Sequence, residues 1–287
     1  MSQHHSEAFL QKVRRIGRMI NTLGRVSPAL AGRAAFRLFC TPRRQNIRVE
    51  DRDFLNRAQA ETLLLENIAI SAYTWLPVGK SLNRSVLLLH GWESHSGRWR
   101  KYVPELLEAG YTVMAFDAPA HGRSGGNVIN LPLFSRVLSA FVAQKGVPYA
   151  LVGHSLGGAA VIMGMAAFGA PRVQKAVVMA SFAESSRVLR DFGALLGLNE
   201  QVLGAVGNQI LRQGGIPIEA YSVEGKAASL TDVRGLVIHD RDDDVAPLAE
   251  GMAIAKAWNA RLIETQGLGH RLQHEMIGEL IREFLEE

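Results

Sequence analysis

Apolar and polar positions along this chain fall into two alternating patterns. Short apolar runs at Val86–His90, Thr112–Phe116, Tyr149–Gly153, Gln174–Ala180 and Leu236–His239 have the length and composition of buried strands, and Arg261–Thr265 is a less apolar strand candidate. Between these runs, stretches near 98–109, 131–144, 155–169, 248–258 and 272–286 carry helical spacing. Upstream, Leu63-Leu64-Leu65 and Ile68–Trp75, joined at Glu66-Asn67, predict an antiparallel pair. Such alternation predicts an α/β fold, a mostly parallel, twisted sheet wrapped by helices on both faces.

Two stretches break this rhythm. In the first, Phe9, Val13, Ile16, Ile20 and Leu23 recur at helical spacing with Lys12, Arg14, Arg15 and Arg18 on the other faces. Ser27-Pro28 then opens a second helix, as N-cap and first helical residue, which ends before Pro42. The second is the interval from about Ser181 to Gly235, roughly fifty residues, too long for an ordinary connection. Phe182, Val188, Leu189, Phe192, Leu195, Leu196, Val202, Leu203, Val206 and Ile210 give it helical periodicity. The expected organisation is an N-terminal helical segment over 1–45 and a main domain over 46–287. A small helical cap, about 182–230, interrupts that domain after the sixth strand.

Charge changes the picture only at the N-terminus. The net charge is +5, but residues 1–45 hold nine Lys/Arg against one acid, Glu7, leaving 23 bases and 26 acids elsewhere. With no basic groove or reader motif in the remainder, nucleic acid is not an expected partner. A basic amphipathic helix suits an anionic membrane surface; a helix packed on the domain with its charges in water, or an Arg-rich transit peptide, fits the same pattern. No apolar h-region of a secretory signal is present. No apolar run approaches the roughly 18 residues of a membrane span. The single cysteine, Cys40, leaves no intramolecular disulfide framework or Cys-based zinc site, and reads as an incidental thiol in a reducing, cytoplasmic setting.

The candidate chemistry sits at the ends of the strands. Tyr149–Val152 runs into Gly153-His154-Ser155-Leu156-Gly157, followed by an Ala- and Met-rich helical stretch. This is the strand–turn–helix setting of a G-x-S-x-G nucleophile, with the helix N-terminus favouring negative charge beside Ser155. A serine hydroxyl needs an adjacent base. Of the nine histidines, His270 in Gly267-Leu268-Gly269-His270 follows the last strand; His274 reads as a surface residue, and His4 and His5 as part of a mobile terminus. The base in turn needs a carboxylate to fix its tautomer. Asp240, Asp242, Asp243 and Asp244 cluster after the strand Leu236–His239, and the order Ser…Asp…His is that of one hydrolase class.

These features resemble the α/β-hydrolase superfamily over roughly residues 59–287. The family's Gly-x-x-Asp-x-x-Val-Pro-like motif, laid on this sequence, puts Asp243 in the catalytic place, with Val245 and Pro247 matching its tail. Asp240 stands where the family has glycine, so Asp240 and Asp242 remain lesser candidates, with Glu184 a further one after the preceding strand. His90-Gly91-Trp92 resembles the oxyanion loop, which implies backbone N–H donors at Trp92 and Leu156. Asp117-Ala118-Pro119-Ala120-His121-Gly122-Arg123-Ser124 resembles the family's Asp-x-Pro-Gly-His-Gly-x-Ser turn, and implies structural roles for Asp117 and His121. His90 likewise reads as holding its own loop.

The resemblance implies a carboxylesterase-like serine hydrolase with no metal or organic cofactor. Its substrate would be a small ester or thioester with an apolar portion, with Trp92, Phe182 and Phe192 as candidate pocket residues. A lysophospholipase, thioesterase or acyltransferase at a membrane surface, a haloperoxidase-type oxidoreductase and a non-enzymatic binder are the alternatives.

Overall fold

The computed structural model describes residues 7–77 and 79–287, so His4 and His5 lie outside it. In chain order the elements are α1 (Glu7–Val26), α2 (Pro28–Phe39), α3 (Val49–Leu55), β1 (Gln59–Leu65), β2 (Ile68–Trp75), β3 (Ser85–Leu89), α4 (Val103–Glu108), β4 (Thr112–Phe116), α5 (Leu131–Lys145), β5 (Ala150–His154), α6 (Leu156–Ala167), β6 (Lys175–Met179), α7 (Ser185–Leu196), α8 (Glu200–Gly214), α9 (Val223–Ala227), β7 (Arg234–Asp240), α10 (Leu248–Trp258), β8 (Arg261–Thr265) and α11 (Glu275–Glu286). They divide into two compact units. One is Pro42–Ala183 with Val223–Glu287; the other joins the chain up to Thr41 to Glu184–Ser222.

The larger unit is built on one eight-stranded sheet in the order β1-β2-β4-β3-β5-β6-β7-β8. β2 pairs antiparallel with β1 and β4, and every other pairing is parallel. Every residue of β5 and β6 is buried, as expected where helices cover both faces of a parallel sheet. In the edge strand β1 exposed and buried positions alternate from Thr62 to Leu65, and β8 at the other edge buries only Thr265, matching its weaker apolar signal. α6 is apolar all round and buried from Gly157 to Met165. Asn130 caps α5 by accepting the Leu133 N–H at 2.9 Å.

Three local details differ from the sequence expectation. The stretch near 98–109 is a tight 3₁₀ turn, Ser96–Lys101, followed by α4. His95 caps that turn, and Pro104, in the first turn of α4, has no N–H with which to extend a helix from the preceding residues. The final helix starts at Glu275 rather than 272, because Leu272 sits at φ 51° and His274 caps α11 through the Met276 N–H. α3 buries only Leu55, so its sequence carries no period to read.

The smaller unit gathers the N-terminal segment and the interruption after β6, read as separate parts of the sequence, into one helical body. α1 packs on α7 so closely that a Cβ on Gly17 would fall 1.8 Å from the Leu196 carbonyl oxygen. Asn21 fixes the register by donating to Gly197 O at 2.8 Å and accepting the Asn199 N–H at 3.0 Å. Leu189, Leu196, Val202, Val206 and Ile210 fill the interior, and Phe39 meets Phe192 edge to face, 5.0 Å between ring centroids. The outer face of α1 carries Lys12, Arg14, Arg15, Arg18 and Arg25, all exposed. Cys40 is buried, and burial pushes its thiol up to about 12, leaving it unreactive.

Candidate active site

The site is assembled at the carboxyl ends of β3, β5, β7 and β8, the edge where open α/β sheets place their ligands. β5 ends at His154, and Ser155 turns into α6 with φ 53° and ψ −120°. A non-glycine residue keeps such a backbone only when its neighbours over-determine it. Here the Ser155 N–H donates to Met179 O at 2.8 Å, and Ser181 Oγ–H donates to Ser155 O at 2.9 Å. A Cβ on Gly157 would lie 2.2 Å from Leu89 O, so only glycine lets α6 start this close to β3. Leu156 is the first residue of α6, and its N–H has no intrahelical acceptor.

Above this turn, His270 Nε2 lies 3.1 Å from Ser155 Oγ. Its Nδ1 lies 2.9 Å from Asp243 Oδ2 and 3.1 Å from Oδ1. A carboxylate can only accept, so Nδ1 carries the proton and the Nε2 lone pair faces the serine hydroxyl. Asp243 follows β7 in a turn whose Val245 and Ala246 N–H groups donate to Oδ1 at 2.9 and 2.8 Å. Its side chain has no solvent exposure, and His239 Nε2 is 3.4 Å from Oδ2. Burial alone would raise the Asp243 pKa, but hydrogen bonds from His239, His270 and the Ala246 N–H outweigh it and hold the carboxyl well below the usual range. It is therefore ionised at neutral pH.

The other acids go elsewhere. Asp240 accepts from Thr265 Oγ at 2.7 Å and Leu268 N–H at 3.0 Å, Asp242 accepts the Gly267 N–H at 3.0 Å, and Glu184 Oε1 accepts from Ser222 Oγ at 2.6 Å. None of the three carboxylates meets His270 among the described contacts. His239, which nothing in the sequence singled out, bonds Ala246 O at 2.6 Å and lines the far side of Asp243. It lies in the buried part of β7, where a histidine has no pattern to distinguish it from core.

The His90-Gly91-Trp92 loop lies against the elbow: a Cβ on Gly91 would come within 2.9 Å of both His154 Nδ1 and Ser155 Cβ. His90 Nδ1–H donates to Gly91 O at 2.8 Å while Nε2 accepts the Ala118 N–H at 2.9 Å. Burial drives the His90 pKa far down, so the ring is neutral and can play both parts. His121 works in the same way between Pro119 O and the Glu93 N–H, both at 2.9 Å. Asp117 takes the Ser96 and Arg123 N–H groups at 2.7 and 2.9 Å. These three residues thus brace the loop carrying Trp92, which is itself 37% exposed with its ring edge-on to His121. Phe182 is buried in the sheet-bearing unit, whereas Phe192 packs in the helical one.

Residues 86–283 match the pattern of the alpha/beta hydrolase family. A non-heme haloperoxidase from Rhodococcus erythropolis is 30% identical over 234 residues, covering 65% of this chain and 85% of that protein. Among solved structures, Est1E from Butyrivibrio proteoclasticus with ferulic acid bound superposes with TM-score 0.64 at 21% identity, over 79% of this chain and 98% of that one. An esterase from Pyrococcus furiosus does so with TM-score 0.64 at 22% identity, over 86% and 97%. With its sheet order, its elbow and this match over most of its length, the chain belongs to the alpha/beta hydrolase family.

Proposed function

We propose that the protein is a serine hydrolase that cleaves carboxylic ester or thioester bonds through an acyl-enzyme on Ser155. The observation that carries this reading is the continuous line from Ser155 Oγ through the His270 ring to the ionised Asp243. Ser155 Oγ attacks the substrate carbonyl carbon as His270 Nε2 takes its proton, and Asp243 stabilises the imidazolium. The carbonyl oxygen, now an oxyanion, meets the N–H groups of Leu156 and Trp92, each worth about 3 kcal/mol in the transition state. His270 returns its proton to the leaving alcohol or thiol. Water, deprotonated by the same nitrogen, then releases the acid and restores Ser155.

The test is turnover of short-chain p-nitrophenyl esters together with labelling by a fluorophosphonate. Wild type should react in both, and Ser155→Ala in neither. A wild type inert in both assays overturns the reading and favours a binding protein on a hydrolase scaffold. Esters, thioesters and lysophospholipids compared at one concentration then define the leaving group, and an apolar acyl or alcohol portion is the expected preference. The haloperoxidase relative supports a second reading in which peroxide rather than water accepts the acyl group. Halide oxidation in acetate with hydrogen peroxide, lost in Ser155→Ala, is its signature.

We further propose that the outer face of the helical unit rests on an anionic lipid surface. No helix among the described residues is long and apolar enough to cross a membrane. The face of α1 does, however, offer exposed Met19 and Val26, at 67% and 85%, beside Arg14, Arg15, Arg18 and Arg25. Basic residues over apolar ones match lipid phosphates over acyl chains. Deleting α1 would strip the packing around Gly17, so the test is Arg14→Glu/Arg18→Glu/Arg25→Glu in the full chain. It should lose sedimentation with phosphatidylglycerol vesicles that wild type shows; equal sedimentation by both overturns the proposal.

A further inference from the structure

The loop bearing His270 has little regular structure of its own. Gly267, Gly269 and Leu272 take φ values of 82°, 57° and 51°, so the chain turns sharply on both sides of the histidine. Its backbone polar groups must therefore find partners outside secondary structure, and those partners are side chains from three distant segments.

On the N-terminal side, Asp240 at the end of β7 is fully buried and accepts from Leu268 N–H at 3.0 Å and Thr265 Oγ at 2.7 Å. This carboxylate occupies the position where the family resemblance leads one to expect glycine. On the C-terminal side three successive carbonyls are held. His154 Nε2–H donates to His270 O at 2.7 Å. Arg98 Nη2 donates to Arg271 O at 2.9 Å. The Tyr102 hydroxyl donates to Leu272 O, which also accepts the His274 N–H. Leu272 itself is completely buried, although its left-handed backbone costs about 1–2 kcal/mol. The loop is thus pinned in a conformation it would not hold alone.

His154 is the residue between Gly153 and Ser155, so one peptide segment presents the serine and also grips the histidine. Its ring is buried, with Nδ1 against Gly91, and burial, then the nearby Arg98 cation and His270, keep it neutral. Neutrality with Nε2–H as donor leaves Nδ1 as the bare nitrogen, a state in which the ring can serve the carbonyl. Arg98 is half-buried beside it; desolvation pushes its guanidinium down to about 10, and it remains a cation.

We propose that His154 and Arg98 are positioning residues that set the distance between His270 Nε2 and Ser155 Oγ by fixing the backbone of residues 270–271, an inference that rests on the Ser155 acyl-enzyme reading. A displacement of about 1 Å at a reacting pair costs on the order of 100-fold in rate. His154→Phe keeps a ring but removes the donor, and Arg98→Met keeps a long side chain without the guanidinium. Each should lower kcat for a short p-nitrophenyl ester by roughly 10- to 100-fold with little change in KM. Each should also speed amide hydrogen exchange over 265–274 and move the acid limb of the kcat/KM profile. His154→Gln, which restores an N–H near the same place, should recover most of the lost kcat.

Rates are to be expressed per folded molecule, with near-ultraviolet circular dichroism as the measure of folding. Active wild type with His154→Phe and Arg98→Met equally active per folded molecule overturns the positioning roles and leaves the hydrolase reading intact. A wild type that neither turns over the ester nor labels with fluorophosphonate overturns both.

Discussion

In the sheet-bearing unit 22 Lys/Arg stand against 22 Asp/Glu, whereas the helical unit holds ten against five and so carries the whole net charge of the chain. The contrast extends to how polar groups are used. In the former, His90, Asp117, His121, His154, Asp240 and Asp243 are buried and each has a named partner within hydrogen-bonding distance. In the latter, the arginines of α1 face solvent, where salt screens them and no single geometry is enforced. Burial makes a polar group expensive unless bonded, and a bonded buried group has one place to be. That is the physical condition for a reaction centre. An exposed cationic face has the opposite virtue, tolerance of a partner with no fixed shape.

The difference can be broken most severely at Asp243. Asp243→Asn should cut kcat/KM by about 10⁴-fold, since the histidine loses both its tautomer and its counter-charge. Asp242→Asn, at a carboxylate that accepts the Gly267 N–H, should stay within about twofold of wild type on the same ester assay. A comparable loss in both would mean that the choice among these aspartates is wrong.

Next in size is the response to acid. His90 and His154 have pKa values driven far down by burial first, and His95 and His121 are lowered with the same leading cause. Unfolding returns them to ordinary imidazoles that bind protons below about pH 6.5. The unfolded chain then holds more protons than the native one, so stability is full above that pH and falls as pH decreases through and below it. The loss should reach a few kcal/mol by about pH 5.5, while Asp243 adds its own only below about pH 4. Thermal melting as a function of pH measures this. A melting temperature that is flat from about pH 7 to 5 contradicts it, and the arginine-rich helices should contribute nothing to the slope.

The helical unit can be attacked separately. Gly17→Ala improves helix propensity but drives a methyl group into the Leu196 carbonyl, and the clash should win by about 1–3 kcal/mol. Faster hydrogen exchange in α1 and α7, with α5 and α6 unchanged, is the expected result. The smallest effect belongs to Ala120, which holds φ 64° at a position where the related turn has glycine. Ala120→Gly relieves a left-handed β-carbon at some cost in chain entropy, for a net gain of a few tenths to about 1 kcal/mol in urea unfolding.

Local sequence was enough for the sheet and for the elbow. Strands β3 to β7 are short apolar runs bounded by polar residues, and G-x-S-x-G at the end of one of them prescribes a strand–turn–helix whatever surrounds it. The same holds for Ser27-Pro28, whose serine does cap α2 through the Leu30 N–H. Less was legible at the acid. Asp240, Asp242 and Asp243 lie within four residues of one another, and composition ranks none of them; the family motif pointed to Asp243, and the turn through Ala246 brings that side chain to His270. The partners of the His270 loop were not legible at all. Arg98 lies in a tight turn and Tyr102 directly after it, some 170 residues away in sequence, and no spacing rule connects them to the loop.

By itself, then, the sequence determined what depends on neighbours a few residues apart: the alternation of strands and helices, the strained serine, and the order in which the aspartates and His270 follow it. Tertiary structure alone decided which carboxylate meets the histidine, which side chains hold the histidine's backbone, and that residues 7–41 share one body with the interruption after β6. The reason is one of scale. Backbone preferences are set by local sterics and by burial averaged over a run of residues, whereas a hydrogen bond is made or lost within about half an ångström. That precision arises only when distant segments have packed.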